Sequence, residues 1–154
     1  MTDARSNSLR FGWVLPRKLA GCRRPDGEPD YQLLKQEGVG TLVSLLEWGG
    51  VPSFAPLYGF QHIHIPINDG CPPTAGQLER FVDLVRSNGS TCVHCLAGIG
   101  RTGCMLTGYL IRACAYDPFE AIRHVESLRV YAFQTDEQED WLYGLTPRLL
   151  PGED

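Results

Sequence analysis

The sequence has no long hydrophobic run and no excess of positive charge. No window approaches the ~18 consecutive apolar residues that a membrane-spanning helix requires, so no membrane segment is expected. Residues 1–8 also lack the apolar core of a signal peptide. The chain carries 14 Lys and Arg residues against 18 Asp and Glu residues, for a formal net charge of -4. Because nucleic-acid surfaces depend on a basic patch, this balance argues against a broad surface of that kind, but not against local phosphate binding.

Clusters of potential metal ligands are also missing from the sequence. The six cysteines are Cys22, Cys71, Cys92, Cys95, Cys104 and Cys114. Only Cys92 and Cys95 are closely spaced, so we expect no zinc site and no other metal or cofactor. His62 and His64 alternate as a pair of metal ligands would, but without a supporting carboxylate or cysteine they indicate a surface-facing strand. Without a secretory signal, we expect reduced cysteines and a cytoplasmic protein, with the nucleus as an alternative compartment.

The length and the hydrophobic pattern predict a single α/β domain. A chain of 154 residues corresponds to one domain of common size. Short apolar segments alternate with segments of helical periodicity, which predicts a central, mostly parallel sheet flanked by helices on both faces. We assign this domain to residues 9–150, with residues 1–8 and 151–154 as flexible termini. We expect it to be a monomer.

Individual elements follow from periodicity and from capping residues. Strands are predicted at 11–15, 41–46, 60–65 and 91–94. Helices are predicted at 30–36, 75–87, 102–115, 118–128 and 136–145. Thr74 and Thr135 each precede a glutamine by three residues, which is the pattern of a capping box. Asp117 stands before Pro118 as an N-cap, and Asp30 is expected to cap the first helix in the same way.

The segment from Val93 to Gly103, which reads VHCLAGIGRTG, predicts a phosphate-binding loop (P-loop). Cys95 follows a buried strand, and five residues separate it from Arg101, where a helix is about to begin. Successive backbone N–H groups can form a nest for an anion, and the helix adds the positive end of its dipole. The guanidinium offers a planar fork to two phosphate oxygens. The predicted loop consists of Leu96, Ala97, Gly98, Ile99, Gly100 and Arg101.

The same groups favour Cys95 as a nucleophile. A helix N-terminus and a nearby cation stabilise a thiolate, so we expect Cys95 to be ionised at neutral pH. We expect Thr102 to donate its hydroxyl to the sulfur, and His94 to support the loop through ring hydrogen bonds from the opposite face of the strand. Phosphoryl transfer to sulfur also requires an acid for the departing oxygen. Asp69 is the best candidate, because it follows the preceding strand on a loop at the same edge of the sheet.

Three other kinds of protein fit parts of this segment. Gly98, Gly100 and Gly103 spell the dinucleotide-binding pattern G-x-G-x-x-G. The acidic partner about 20 residues further on would be Asp117, which begins a helix instead of ending a strand. A rhodanese-type sulfurtransferase also uses a loop cysteine at a helix start, but its loop is typically one residue shorter and needs no partner acid. A noncatalytic phosphate-binding module would usually have lost the cysteine or the arginine.

The motif His94-Cys95, then five residues, then Arg101-Thr102-Gly103, resembles the active-site motif of the cysteine-dependent protein phosphatases. The short chain with Asp69 one strand earlier is similar to the small atypical dual-specificity phosphatases. The likeness covers roughly residues 11–147 and extends to Trp13-Val14-Leu15-Pro16, Leu19-Ala20-Gly21, Leu42-Val43-Ser44-Leu45 and Cys71-Pro72-Pro73. It implies a dual-specificity phosphatase-like fold.

The resemblance also implies a mechanism. Cys95 would carry a phosphocysteine intermediate and Arg101 would bind phosphate. Asp69 would protonate the leaving oxygen and then activate water. Gln138, or alternatively Gln134, would position that water.

The apolar loop residues favour a phosphoprotein substrate. Leu96, Ala97 and Ile99 stand where lipid phosphatases of this superfamily often carry lysines. An RNA 5'-triphosphatase would benefit from a basic rim, to which Arg23 and Arg24 could contribute. We therefore predict hydrolysis of phosphotyrosine, and of phosphoserine or phosphothreonine as a second class, in proteins. RNA 5'-triphosphates and phosphoinositides stay open as alternatives.

The loop before the last helix departs from the family pattern. Relatives usually carry an Arg-Pro-Gly-like turn there, whereas residues 129–133 read RVYAF. The bulkier, more apolar loop leaves the substrate preference open. Tyr131 and Phe133, together with Trp48, are candidates for the walls of the pocket.

Overall fold

Five short strands form one sheet in this computed structural model, which describes residues 8–49, 55–129 and 132–148. The strands are β1 (Gly12–Leu15), β2 (Leu19–Cys22), β3 (Thr41–Ser44), β4 (Gln61–His64) and β5 (Thr91–His94). Their order across the sheet is β1-β2-β5-β3-β4. β1 is antiparallel to β2, and the other neighbouring pairs are parallel. The prediction of a mostly parallel sheet is therefore confirmed.

Five helices within the described residues cover the two faces of this sheet. They are α1 (Glu28–Gln36), α2 (Ala75–Ser87), α3 (Gly100–Cys114), α4 (Pro118–Leu128) and α5 (Asp136–Tyr143), and a short 3-10 helix spans Ala55–Tyr58. α1 packs on one face, where Tyr31 and Leu34 join the apolar cluster that contains Leu42 and Cys92. The other four helices bury their apolar faces in a larger cluster on the opposite side. Both faces of the central strand β5 are thereby shielded from solvent.

The helices and the described range bear on the wider organisation of the chain. In the part that the structure describes, no helix combines the length and the apolar character that a membrane crossing requires. Residues 1–7 and 149–154 lie outside the described residues, so the predicted boundaries at residues 9 and 150 stay predictions.

Three of the four predicted helix caps are present. Thr74 and Thr135 both form complete capping boxes with the glutamine three residues later. The Asp117 carboxylate accepts hydrogen bonds from two backbone N–H groups of the first turn of α4. The prediction that Asp30 caps the first helix is wrong, because α1 begins two residues earlier, at Glu28. Pro29 explains the early start, since its fixed φ and missing N–H suit the first turn of a helix.

The strand β2 is one that the sequence pattern does not predict. Its four residues read LAGC, and small residues and glycine have low strand propensity. All four are buried, because β2 pairs in parallel with the central strand β5. Boundaries elsewhere differ by about two residues: α3 begins at Gly100 instead of residue 102, and α5 ends at Tyr143 instead of residue 145.

Candidate active site

The central strand β5 carries Cys95 to the carboxyl edge of the sheet. Cys95 follows directly after His94, the last residue of β5, and is only 3% exposed. β3 continues alongside, because the Leu45 N–H donates to His94 O at 2.9 Å. The sulfur therefore sits in a position that two adjacent parallel strands fix.

The chain after Cys95 passes close to neighbouring segments at two glycines. Gly98 has a φ of +73°, and a Cβ there would lie 2.8 Å from the backbone of Cys22 and Arg23. A Cβ on Gly100 would lie 2.6 Å from Gln134 Oε1 and 2.7 Å from Gln138 Nε2. The loop is thus pressed between the end of β2 on one side and two glutamine side chains on the other.

The helix that follows points its N-terminus at this loop. α3 begins at Gly100, has no acidic residue in its first turn, and makes no side-chain hydrogen bond at its cap. Its first N–H groups and the positive end of its dipole are therefore available to an anion. The Thr102 hydroxyl, in the same turn, donates to Cys95 Sγ at 3.0 Å. This contact is the one that the sequence predicts.

His94 lies on the other face of the sheet from Cys95. Its Nδ1 is 3.4 Å from Cys95 O, and burial lowers the pKa of His94 to about 4, so the ring is neutral at pH 7. Together with His62 and His64 it lines a cavity of about 150 Å³. His62 and His64 are half-buried on the edge strand β4 and line this cavity, so the expectation of a surface-facing pair stays a prediction. The described residues contain no group of three or more potential metal ligands.

Arg101 joins three segments at the carboxyl edge of the sheet. It is 3% exposed, and its Nη1 donates to Ile67 O at 3.0 Å. The same Nη1 lies 3.5 Å from Glu47 Oε1, and Nη2 lies 3.6 Å from Asp69 Oδ1. A buried guanidinium with carboxylates only at its outer side can exchange those weak contacts for phosphate oxygens.

Asp69 stands on a loop that is tied to two neighbours. Its side chain is 63% exposed, and its backbone N–H donates to Glu47 Oε1 at 3.3 Å. The next carbonyl, Gly70 O, accepts a hydrogen bond from Thr135 Oγ1 at 2.9 Å. The structure thus brings Asp69 to Arg101, as the order of the strands predicts.

The two candidate glutamines both adjoin the loop, but their side chains differ in exposure and in hydrogen bonding. Gln138 is fully buried, and its Oε1 accepts from the backbone N–H groups of Gln134 and Thr135 at 2.9 and 3.2 Å. Its amide oxygen is therefore occupied by backbone N–H groups, and its Nε2 lies 3.5 Å from Cys71 O. Gln134 is exposed, and its Oε1 lies against Gly100. Of the two, Gln134 has the side chain that is free to bind water.

The residues considered for the pocket walls and for a basic rim differ in exposure and in partners. Leu96 and Trp48 are about half exposed, at 52% and 51%. Phe133 is half-buried and packs against the larger core cluster, and Tyr131 lies outside the described residues. Arg23, considered above for a basic rim, is instead paired with Asp30 at 3.1 Å.

Two residues at the site were not expected from the sequence. Glu47 contacts both Arg101 and the Asp69 backbone, and its place just after β3 at the carboxyl edge is the signal that could have found it. Arg129 is 5% exposed and donates to Gly98 O at 2.7 Å. No local pattern marks Arg129, because its partners are backbone carbonyls far away in the sequence.

The fold and this arrangement of cysteine, loop, arginine and helix place the chain in the cysteine-dependent phosphatase superfamily. A family model described as "Tc-R-P: Polymorphic toxin system, DSP-PTPase phosphatase" matches residues 20–115. Since this range is more than half of the chain, the protein belongs to that family.

Similar proteins include phosphatases of two kinds. Human dual specificity protein phosphatase 16 is 31% identical over 121 residues, which are 75% of this chain and 18% of that protein. The tyrosine-protein phosphatase CDC14 homolog of Schizosaccharomyces pombe is 33% identical over 156 residues, covering 86% of this chain and 28% of that protein. The chain thus spans less than a third of the length of either relative. The crystal structure of Tk-PTP in the active form has a TM-score of 0.75 at 24% identity, covers 86% of this chain and 92% of that one, and supports the fold.

Proposed function

We propose that this protein is a phosphomonoesterase that hydrolyses phosphotyrosine, and also phosphoserine or phosphothreonine, in proteins through a phosphocysteine intermediate. The observation that carries this proposal is the convergence at one edge of the sheet. Cys95 Sγ is buried and accepts from Thr102, and Arg101 Nη2 lies 3.6 Å from Asp69 Oδ1. A candidate nucleophile, a candidate phosphate ligand and a candidate acid therefore meet at one edge of the sheet.

In the first step, the Cys95 thiolate attacks phosphorus while the bond to the leaving oxygen breaks. Asp69, protonated at this stage, gives its proton to that oxygen, so an alcohol or phenol departs. Arg101 and the first N–H groups of α3 stabilise the charge on the three equatorial oxygens. To do so Arg101 must exchange its long contact with Glu47 for phosphate oxygens.

In the second step, water attacks the phosphocysteine. Asp69 accepts the proton of the water, and the sulfur–phosphorus bond breaks to give inorganic phosphate and the Cys95 thiolate. The Thr102 hydroxyl stabilises the departing thiolate from 3.0 Å. We assign the positioning of the water to Gln134, because the Gln138 amide is held by its own capping box.

The charge around the site supports a protein substrate over polyphosphates. The exposed carboxylates of Glu47, Asp69 and Asp136 lie on segments that border the loop. They would repel a second phosphate group of a phosphoinositide or an RNA 5'-triphosphate. Arg23, already neutralised by Asp30, offers little to either substrate. The apolar Leu96 and the neighbouring carboxylates suit a peptide better.

The decisive experiment compares two cysteine variants. Cys95→Ser should abolish hydrolysis of para-nitrophenyl phosphate and of phosphotyrosine peptides while keeping affinity for inorganic phosphate. Cys114→Ser is the matched control, because Cys114 is exposed at the far end of α3. Full activity of the Cys95→Ser variant would refute the mechanism. Thiosulfate:cyanide sulfurtransferase activity without phosphatase activity would favour the rhodanese alternative, and phosphate binding without turnover would favour a binding module.

A panel of phosphorylated substrates would test the proposed substrate class. Peptides with phosphotyrosine, phosphoserine or phosphothreonine, a phosphoinositide and an RNA 5'-triphosphate should be compared by kcat/KM. We expect phosphotyrosine peptides to rank first. A higher kcat/KM for the phosphoinositide or the RNA would overturn the substrate assignment and leave the phosphocysteine chemistry intact.

A further inference from the structure

Arg129 is buried behind the phosphate-binding loop and reaches three separate segments of the chain. It follows the last residue of α4 and is only 5% exposed. Nη1 donates to Arg10 O at 2.8 Å and to Gly21 O at 3.0 Å. Nη2 donates to Gly98 O at 2.7 Å. One guanidinium thus connects the segment before β1, the strand β2 and the loop after Cys95.

No carboxylate compensates this buried charge among the residues that the structure describes. All three acceptors of Arg129 are backbone carbonyls. Burial lowers the pKa of Arg129. Burying a cation without a counter-ion costs free energy, and an apolar side chain of the same size would fill the space without that cost. The presence of a buried guanidinium here is therefore best explained by the backbone segments that it holds in place.

The hydrogen bond from Arg129 to Gly98 O fixes the orientation of the Gly98–Ile99 peptide group. In a trans peptide the C=O and the following N–H point in opposite directions, and no cis peptide occurs among the described residues. Arg129 holds Gly98 O toward β2, the side on which the guanidinium also binds Gly21 O. The N–H of Ile99 must then point away from β2. Ile99 is the N-cap residue of α3, so its N–H stands beside the first N–H groups of that helix, where an anion would meet the loop.

We propose that Arg129 is a positioning residue for phosphate binding, which fixes the Gly98–Ile99 peptide so that the Ile99 N–H faces the phosphate. The inference rests on the proposed function, because it assigns how the same loop is prepared for its anion. Gly98 is suited to this arrangement, since its positive φ and its contact with Cys22 and Arg23 let the loop lie against β2. The Arg129 charge also stands behind the loop and adds to the field that attracts an anion.

The test measures phosphate binding separately from turnover. Arg129→Met removes the hydrogen bonds, and Arg129→Lys keeps the charge but replaces the fork with a single ammonium group. Arg112→Met is the matched control, because Arg112 is a partly buried arginine of α3 that pairs with Glu79 away from the loop. For each variant we would measure the melting temperature, kcat and KM with para-nitrophenyl phosphate, and the inhibition constant of inorganic phosphate.

We expect Arg129→Met to bind phosphate on the order of tenfold more weakly and to lower kcat by a similar factor, at temperatures at which it is fully folded. Arg129→Lys should recover only a small part of both losses. Arg112→Met should change the melting temperature without changing phosphate affinity. Unchanged phosphate affinity in either Arg129 variant would overturn the proposal, and so would an equal loss in Arg112→Met.

A spectroscopic measurement keeps the proposal testable if Arg129→Met does not fold. In the Cys95→Ser background, inorganic phosphate should shift the amide resonance of Ile99, and Arg129→Lys should reduce that shift strongly. A full Ile99 shift in Arg129→Lys would refute the positioning role. If the protein with Arg129 intact neither binds phosphate nor hydrolyses any phosphomonoester, the proposed function itself fails, which is a distinct result.

Discussion

Replacement of Thr102 by valine removes a single hydrogen bond at the sulfur. Thr102 is fully buried in the first turn of α3, and its hydroxyl donates to Cys95 Sγ at 3.0 Å. Valine has nearly the same shape, so the packing of the helix against β2 should persist. What changes is the stability of the thiolate, which is both the nucleophile of the first step and the leaving group of the second.

The expected loss of rate in Thr102→Val follows from the charge on the sulfur. A hydrogen bond to a charged group contributes about 1.5–3 kcal/mol, which corresponds to roughly 10- to 150-fold in rate. In the first step the loss is partly offset, because a thiolate without its hydrogen bond is a stronger nucleophile. In the second step the full contribution is lost, since the thiolate is departing. Breakdown of the phosphocysteine should therefore become rate-limiting in Thr102→Val.

Rapid-mixing kinetics with para-nitrophenyl phosphate would reveal this change. We expect a burst of para-nitrophenol close to one equivalent per enzyme, followed by a steady rate roughly 10- to 150-fold below that of the unmodified protein. Thr107→Val is the matched control. Thr107 is also fully buried in α3, but its hydroxyl has no hydrogen-bond partner among the described residues, so that variant should keep normal kinetics.

Two outcomes would refute the reasoning. If Thr102→Val kept its steady rate and showed no burst, the hydroxyl would not stabilise the leaving thiolate. If Thr107→Val slowed turnover as much as Thr102→Val, the loss would come from helix packing and not from the sulfur contact. Thr102→Ser, which keeps a hydroxyl, should retain most of the rate.

Two further predictions concern Asp69 and His94. Asp69→Asn should lower kcat for phosphotyrosine peptides by about 10²- to 10⁴-fold, but much less for a phosphate ester whose leaving group needs no proton; equal losses for both esters would remove Asp69 as the acid. Because burial lowers the pKa of His94 to about 4 from the ordinary value of 6.5, its neutral ring stabilises the fold above pH 6.5, and this contribution is lost as the pH falls toward 4. Chemical denaturation should show a loss on the order of 3 kcal/mol over that window, which His94→Gln should lack; an identical pH profile in the variant would contradict this.

The architecture was largely predictable, because its signals are local. Buried parallel strands such as β3 and β5 read as short apolar runs, and the capping boxes at Thr74 and Thr135 depend on residues three positions apart. β2 escaped prediction because Leu-Ala-Gly-Cys has little strand propensity of its own, and pairing with β5 makes it a strand. The start of α1 was displaced because Pro29 in the first turn outweighs the capping capacity of Asp30.

Some residues of the candidate site could also be predicted from local sequence, whereas others depend on tertiary contacts. The spacing of Cys95 and Arg101 is a property of one loop, so it could be found without a fold. The position of Asp69 at the site could be predicted from the order of strands along the chain alone. Glu47 follows β3 at the same edge, so the order of strands could also have found it. The difference between Gln134 and Gln138 could not be found in this way, since it depends on contacts across the site. The half-buried positions of His62 and His64 likewise depend on what packs around the edge strand β4.

The sequence by itself determined the chemistry of the loop, because a cysteine, glycines and an arginine at fixed spacing constrain a backbone that is continuous between them. It also determined that strands and helices alternate, because their periodicities are written in neighbouring residues. Only the tertiary structure decided which distant groups surround that loop. Arg129 meets Gly98 O and Gly21 O across 31 and 108 positions of sequence, through carbonyl groups that every residue possesses. Backbone partners of this kind leave no mark on the sequence, so they become visible only when the chain has folded.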